Sequence, residues 1–156
     1  MRRMNMTTSQ PGAEIGHTWG IRVYYEDTDA GGIVFYANYL KFFERARTEW
    51  LRARGHSQQE LARDPGILFT VISLSVDYRA PARLDDELQI TCEPALEGAA
   101  SLRFAQRIYR APGTDGGQLL LEANVRVACV DAHTLRPQRL PRFLTEALAA
   151  PGSSHG

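Results

Sequence analysis

The sequence predicts an α+β fold: an antiparallel sheet with one long helix laid on a single face. Three observations carry this. A strand-like alternation near residue 20 runs into a helical period that lasts to about residue 54. After Pro65 the character changes to a succession of alternating runs rich in β-branched and aromatic residues. Turn residues separate those runs at short intervals, as sequentially paired strands require. One helix followed by a meander has a natural solution in a sheet with the helix packed on one face.

Taken in order, residues 1–17 are polar and contain Pro11-Gly12, and they are expected to be a tail. Trp19 to Glu26 alternates, with Ile21, Val23 and Tyr25 on one face and Arg22, Tyr24 and Glu26 on the other, which predicts a half-buried strand. Asp27 to Gly32 breaks it. A helix is expected from about Val34 to Arg54, with Leu40, Phe43, Ala46, Trp50 and Ala53 at threes and fours. Its start, Ile33 to Tyr39, is apolar nearly all round and is expected to be buried on every side. Its second half is highly charged, and Glu44–Arg47 and Glu49–Arg52 are opposite pairs three apart. Gly55 suits a helix stop, and Ser57 with Glu60 suits the start of a short second helix.

Strands are then expected over Ile67–Tyr78, Glu87–Leu96, Ala99–Tyr109 and Gln118–Val130, with a final short one over Leu135–Leu140 and a weak helix over Leu144–Ala150. Ala111 to Gly117 reads as a hairpin connection with a loop.

Bulk properties narrow the function. A chain of 156 residues fits one domain with a real core. Eighteen basic residues balance eighteen acidic ones, which argues against nucleic acid as main partner and leaves self-association open. Cys92 and Cys129 each lie in a strand-like run, without framework or metal spacing, and are expected to be small buried residues. Met1-Arg2-Arg3-Met4 lacks the apolar run of a secretion signal, and no stretch approaches the ~18 apolar residues of a membrane span. A cytoplasmic location is expected.

Chemistry concentrates in Tyr24-Tyr25-Glu26-Asp27-Thr28-Asp29-Ala30-Gly31-Gly32-Ile33-Val34-Phe35-Tyr36. A helix N-terminus presents unpaired amides and a partial positive charge. Two glycines ahead of it would let a carbonyl oxygen approach the backbone, and an ionised Asp29 beside it would suit a nucleophile or base. The simpler alternative is that Thr28 or Asp29 caps the helix and the glycines make a tight turn. Three acids in four positions would suggest a metal, but no calcium-loop spacing or histidine partner accompanies them. No nucleophile elbow and no phosphate-binding loop occurs. His17, His56, His133 and His155 show no ligand-like spacing.

The run from Arg22 to Tyr39 resembles the signature of the 4-hydroxybenzoyl-CoA thioesterase family. The continuation Phe42-Phe43-Glu44-Arg45-Ala46-Arg47-Thr48-Glu49-Trp50-Leu51 is similar to the Tol–Pal-associated acyl-CoA thioesterase branch, as are Tyr78 to Asp86 and Gln106-Arg107-Ile108. The likeness spans about residues 19–143. It implies the hotdog fold, a sheet wrapped around a long central helix, in one domain over residues 18–148 with tails at 1–17 and 149–156.

It further implies acyl-CoA hydrolysis without cofactor or metal. Asp29 would act as nucleophile or base, the Tyr36 N–H would polarise the thioester carbonyl, and Tyr25 would be a second site tyrosine. The branch often has His where this chain has Tyr36, which directs attention to the amide rather than the phenol. The family's CoA-gripping basic cluster would fall near Gly98-Ala99-Ala100, which is uncharged. Arg136, Arg139 and Arg142 are the alternative phosphate contacts. The expected partners are acyl-CoA, or an acyl-carrier protein, and further copies of the chain, as a homodimer or a dimer of dimers with the site at the subunit interface. A hotdog dehydratase or hydratase, and a non-catalytic acyl-CoA or acyl-carrier-protein binding module, are the rival readings.

Overall fold

The alternating residues Leu88, Ile90 and Cys92 become the buried face of a strand, and the same holds along its neighbours. The protein is described by a computed structural model that covers residues 16–111 and 117–149. The elements are β1 (His17–Arg22), α1 (Asn38–Ala53), α2 (Gln58–Arg63), β2 (Ile67–Tyr78), β3 (Glu87–Leu96), β4 (Ser101–Arg110), β5 (Gln118–Asp131) and α3 (Arg142–Ala149). A 3-10 turn, Tyr25–Asp27, lies between β1 and α1. The strands form one sheet in the order β1-β3-β4-β5-β2, with every pair antiparallel. Because β2 pairs with β5 rather than β3, β2 stands at one edge and β1 at the other.

One face of the sheet carries Leu102, Phe104 and Ile108 of β4 and Ala123, Val125, Val127 and Cys129 of β5, all buried. Helix α1 lies on that face with Tyr39, Phe42, Phe43, Ala46 and Trp50 turned inward. Removing a Phe or Leu side chain from water contributes about 1.5–3 kcal/mol, so these residues fix where the helix sits. Trp50 meets Phe104 edge-on at 5.7 Å between ring centres. Cys92 and Cys129 are free and buried, as expected, and burial pushes their thiols up to about 12 and about 11.

The element boundaries hold within two residues for β2 to β5 and α2. Ser57 accepts the Glu60 amide at 3.2 Å, and Gly55 takes the left-handed conformation at φ +91° that ends α1. Four expectations need correction. β1 ends at Arg22, because the chain turns into the 3-10 turn and leaves Tyr25 81% exposed rather than on a buried face. Helix α1 starts at Asn38, not Val34; Val34 is held instead in a β-bridge with Thr28, and Phe35 and Tyr36 are exposed. Residues 135–140 form no strand beyond one bridge, Val130 to Pro137. Leu135 is left-handed at φ +63°, and Pro137 has no N–H to donate. In α1, Glu49 pairs with Arg52, but Arg47 turns to Gln106 while Glu44 accepts from Thr48. The connection at residues 112–116, residues 1–15 of the expected N-terminal tail and residues 150–156 of the C-terminal one lie outside the described residues.

Candidate active site

Asp29 sits at the tip of a small hairpin that precedes α1 in the chain. Gly32 N–H donates to the Asp29 carbonyl at 3.0 Å and Asp29 N–H donates to the Ile33 carbonyl at 3.0 Å. This closes a three-residue loop, Ala30-Gly31-Gly32, whose last residue must be left-handed; Gly32 has φ +80°. A Cβ on Gly32 would meet nothing within 4 Å. The glycine is there for its backbone angle, and the space beside it is open. The Asp29 side chain neither caps α1 nor is buried. Its Oδ1 accepts the Gly31 N–H at 2.8 Å, the one hydrogen bond of this exposed carboxylate among the described residues.

The base of the hairpin is rigid, and Asp27 makes it so. Asp27 is 8% exposed. Its Oδ2 accepts the Tyr24 N–H at 2.9 Å, and its carbonyl accepts the Phe35 N–H at 3.0 Å and Asn38 Nδ2 at 2.9 Å. These bonds tie the 3-10 turn to the start of α1. Across the hairpin, Val34 N–H donates to the Ala82 carbonyl and Leu84 N–H to the Gly32 carbonyl, and Ile33 bridges Arg83. The Ala82 N–H donates to the buried Tyr39 hydroxyl at 2.9 Å. Burial, the largest influence on this phenol, raises its pKa.

Tyr36 lies two residues before α1, in the turn closed by Asn38 N–H donating to the Phe35 carbonyl at 2.8 Å. The Tyr36 N–H has no acceptor among the described residues, while its carbonyl accepts from Tyr78 Oη at 3.4 Å. Tyr36 is 66% exposed, and its ring tilts against Phe35. Helix α1 starts at an N-cap, Ala37, with no side-chain cap and has no acid in its first turn. The positive end of the helix is thus open to a developing negative charge. Tyr24 and Tyr25 precede the hairpin and Phe35 and Tyr36 follow it, all four exposed.

The expected phosphate contacts are not brought to this place within one protomer. Arg136, Arg139 and Arg142 are exposed residues beyond the end of β5 at Asp131, and Arg142 pairs with Glu146. Ala80, which leads into the loop that braces the hairpin, bonds the Leu120 carbonyl at the opposite end of β5. From Leu120 to Asp131 is roughly 35 Å of strand, at about 3.3 Å per residue. A cation outside the expected set is closer: Arg83 bridges Ile33, and its guanidinium has no partner among the described residues. The signal was its place in the run Ala80 to Asp86, which is part of the family likeness. Among the described residues no group of His, Cys, Asp and Glu is arranged to hold a metal.

Residues 31–117, more than half of the chain, match the model of the thioesterase superfamily. The chain belongs to that superfamily. It is 50% identical over 126 residues to the acyl-CoA thioester hydrolase YbgC of Escherichia coli O6:H1, covering 81% of this chain and 90% of the relative. It is 43% identical over 132 residues to the acyl-CoA thioesterase YbgC of Haemophilus influenzae, covering 85% and 93%. The 4-hydroxybenzoyl CoA thioesterase of Pseudomonas sp. strain CBS-3 superposes with a TM-score of 0.76 at 22% identity, over 85% of this chain and 98% of that one. The fold is the hotdog fold, with α1 as the central helix of this superfamily member. No helix among the described residues is long and apolar enough to cross a membrane.

Proposed function

We propose that this superfamily member hydrolyses acyl-CoA thioesters, with Asp29 as nucleophile or general base and the Tyr36 N–H as the donor to the thioester carbonyl. The observation that carries this reading is the pairing of an exposed carboxylate on a braced hairpin with an unpartnered amide at the open end of α1. In the general-base form, Asp29 takes a proton from water and the oxygen adds to the carbonyl carbon. Negative charge on the carbonyl oxygen is met by the Tyr36 amide and the end of the helix. The carbon–sulfur bond then breaks, the CoA thiolate leaves and is protonated, and the acid is released. In the nucleophilic form an Asp29 oxygen adds first and water hydrolyses the resulting anhydride. Tyr25 belongs to the aromatic wall against which an acyl group would lie. No cofactor or metal enters either scheme.

We place the working site at an interface between two copies, acting in the cytoplasm. Strand β2 ends the sheet, and its residues Val71, Ile72 and Leu74 are exposed. A long apolar edge is an aggregation hazard unless it is covered. Pairing β2 with its own copy about a two-fold axis would cover it and continue the sheet. Such pairing exchanges the strand ends, setting the Ile67 end of one copy beside the Tyr78 end of the other. Asp131 pairs with Ile67 and bonds Arg136. Arg136, Arg139 and Arg142 of the partner subunit then approach the hairpin, and Arg83 of the same chain is a fourth candidate for the CoA phosphates.

The test is a panel of aromatic, short-chain and long-chain acyl-CoA substrates, with acyl-carrier-protein thioesters alongside. Asp29→Asn keeps the oxygen that accepts from Gly31 and removes the charge. Hydrolysis reduced at least ~100-fold is expected, the lower end of general-base contributions; an unchanged rate refutes the mechanism. Binding without turnover across the whole panel would make the chain a carrier module. The dehydratase reading finds no support among the described histidines: His56 stacks on Phe143, His133 lies in the turn after β5, and His17 begins β1.

A further inference from the structure

A second feature lies on α1 itself, away from the hairpin. Between the helix and the inner face of β2, β4 and β5 is a cleft of about 160 Å³. A cavity of about that size accommodates one benzene ring. Its walls include Trp50, Phe69 and Phe104, and its polar side is made by Glu44, Arg47 and Gln58.

Arg47 is the unusual member. It is half-buried, yet it makes no ion pair among the described residues. Its Nη1 donates to Gln106 Oε1 at 3.1 Å. Gln106 is 1% exposed, and its amide cannot turn over freely, because Nε2 donates to the Phe43 carbonyl at 3.1 Å. The buried amide therefore fixes the guanidinium at the cleft while occupying one of its five donors. Glu44, one helical turn back, accepts from Thr48 and faces water. Burial lowers the Arg47 pKa against the opposing pull of Cys92 and Glu44, and no carboxylate of the described residues forms an ion pair with it. A planar, pre-positioned guanidinium beside an apolar cavity has an evident complement: a carboxylate, which it can grip through two parallel hydrogen bonds.

We propose that this cleft binds a small carboxylate carried on an apolar body about the size of one aromatic ring, with the carboxylate on Arg47 and the body against Trp50, Phe69 and Phe104. Such a group has two sources: a free carboxylic acid, which thioester hydrolysis itself produces, or a carboxyl at the far end of a bound acyl group. The binding claim stands apart from catalysis at Asp29.

Trp50 is the reporter. The chain has two tryptophans, and Trp19→Phe leaves Trp50 alone. The protein is titrated with benzoate and hexanoate, and with benzamide and hexanamide, while Trp50 emission is followed. A saturable change is expected for the acids, with the amides at least ~10-fold weaker, as hydrogen bonds to a charged group imply. Arg47→Gln is expected to weaken the acids by a similar factor and leave the amides unchanged, and Glu44→Gln to tighten the acids. Equal binding of acid and amide, or no saturable change with any of the four, overturns the proposal. Because the acid–amide contrast is read with Arg47 intact, a misfolded variant does not blunt the test. A second arm compares kcat/KM for glutaryl-CoA and pentanoyl-CoA. A preference of ~10-fold or more for glutaryl-CoA that disappears in Arg47→Gln assigns the carboxylate to the acyl group. Acid binding without that preference assigns it to a free acid.

Discussion

Asp27 and Asp29 are two residues apart and do opposite work. Asp27 is buried, its Oδ2 accepts from Tyr24, and its carbonyl accepts from Phe35 and Asn38 on the far side of the hairpin. Asp29 is exposed, and its one recorded side-chain bond is local, to the Gly31 amide. Burial with satisfied hydrogen bonds makes a brace; exposure on a braced tip makes a reagent. Sequence position alone does not tell them apart, since both are acids in a turn.

The largest expected effect breaks the pair at the reagent. Asp29→Asn is expected to lower kcat at least ~100-fold while shifting stability by no more than ~0.5 kcal/mol, the usual range for an exposed side chain. Steady-state kinetics and urea unfolding on one preparation check both halves. A large loss of stability would show that Asp29 also braces the hairpin, and the contrast with Asp27 would fail.

Next comes the brace. Asp27→Ala removes the carboxylate that accepts the part-buried Tyr24 amide, and a hydrogen bond to a charged group is worth about 1.5–3 kcal/mol. Urea midpoints read this directly. Activity is expected to fall as well, because the carboxylate fixes the 3-10 turn whose Asp27 carbonyl holds Phe35 and Asn38 in place. A variant as stable as the parent would show that water replaces the carboxylate without loss.

Gly32→Ala sharpens the comparison further, because it strains the tip without touching the carboxylate. An added methyl would meet nothing within 4 Å, so the cost is backbone alone: about 1–2 kcal/mol for a side chain held left-handed. The expected signature is a lower kcat with a modest drop in unfolding midpoint. A variant with parental kcat and midpoint would mean that the loop takes another turn type at no cost.

Much of this was legible beforehand, and the reason is period. Leu88-Ile90-Cys92 and Leu102-Phe104-Gln106-Ile108 alternate because one sheet face is buried, and β3 matches the expected bounds at both ends. The strand order was not legible: that β2 crosses to pair with β5 depends on contacts between distant residues, which no local pattern carries. The start of α1 was misread because Ile33, Val34 and Phe35 are apolar for a different reason. Val34 is buried in a bridge while Phe35 is exposed beside Tyr36, and both situations look like helix to a hydrophobic count. Arg47 was read as a partner for Glu44 on helical spacing, but Gln106, far away in sequence, takes it. Of the site, the likeness singled out Asp29 and Tyr36, and the structure supplies what that could not: a hairpin in place of a helix start.

The smallest expected effect makes the contrast between tip and frame measurable. Ser57 caps α2, beyond the end of α1 opposite the hairpin, by accepting the Glu60 amide. Ser57→Ala is expected to cost about 1 kcal/mol, a typical loss for a cap, close to the strain cost at Gly32. Helix α2 anchors through the buried Leu61 and shares no hydrogen bond with residues 27–36 among those described. Its kcat is therefore expected to equal that of the parent. If Ser57→Ala and Gly32→Ala lose similar stability and only Gly32→Ala loses activity, the loss belongs to the hairpin. If both lose activity in proportion to stability, the hairpin answers to the whole fold, and the division between a bracing Asp27 and a reacting Asp29 has to be given up.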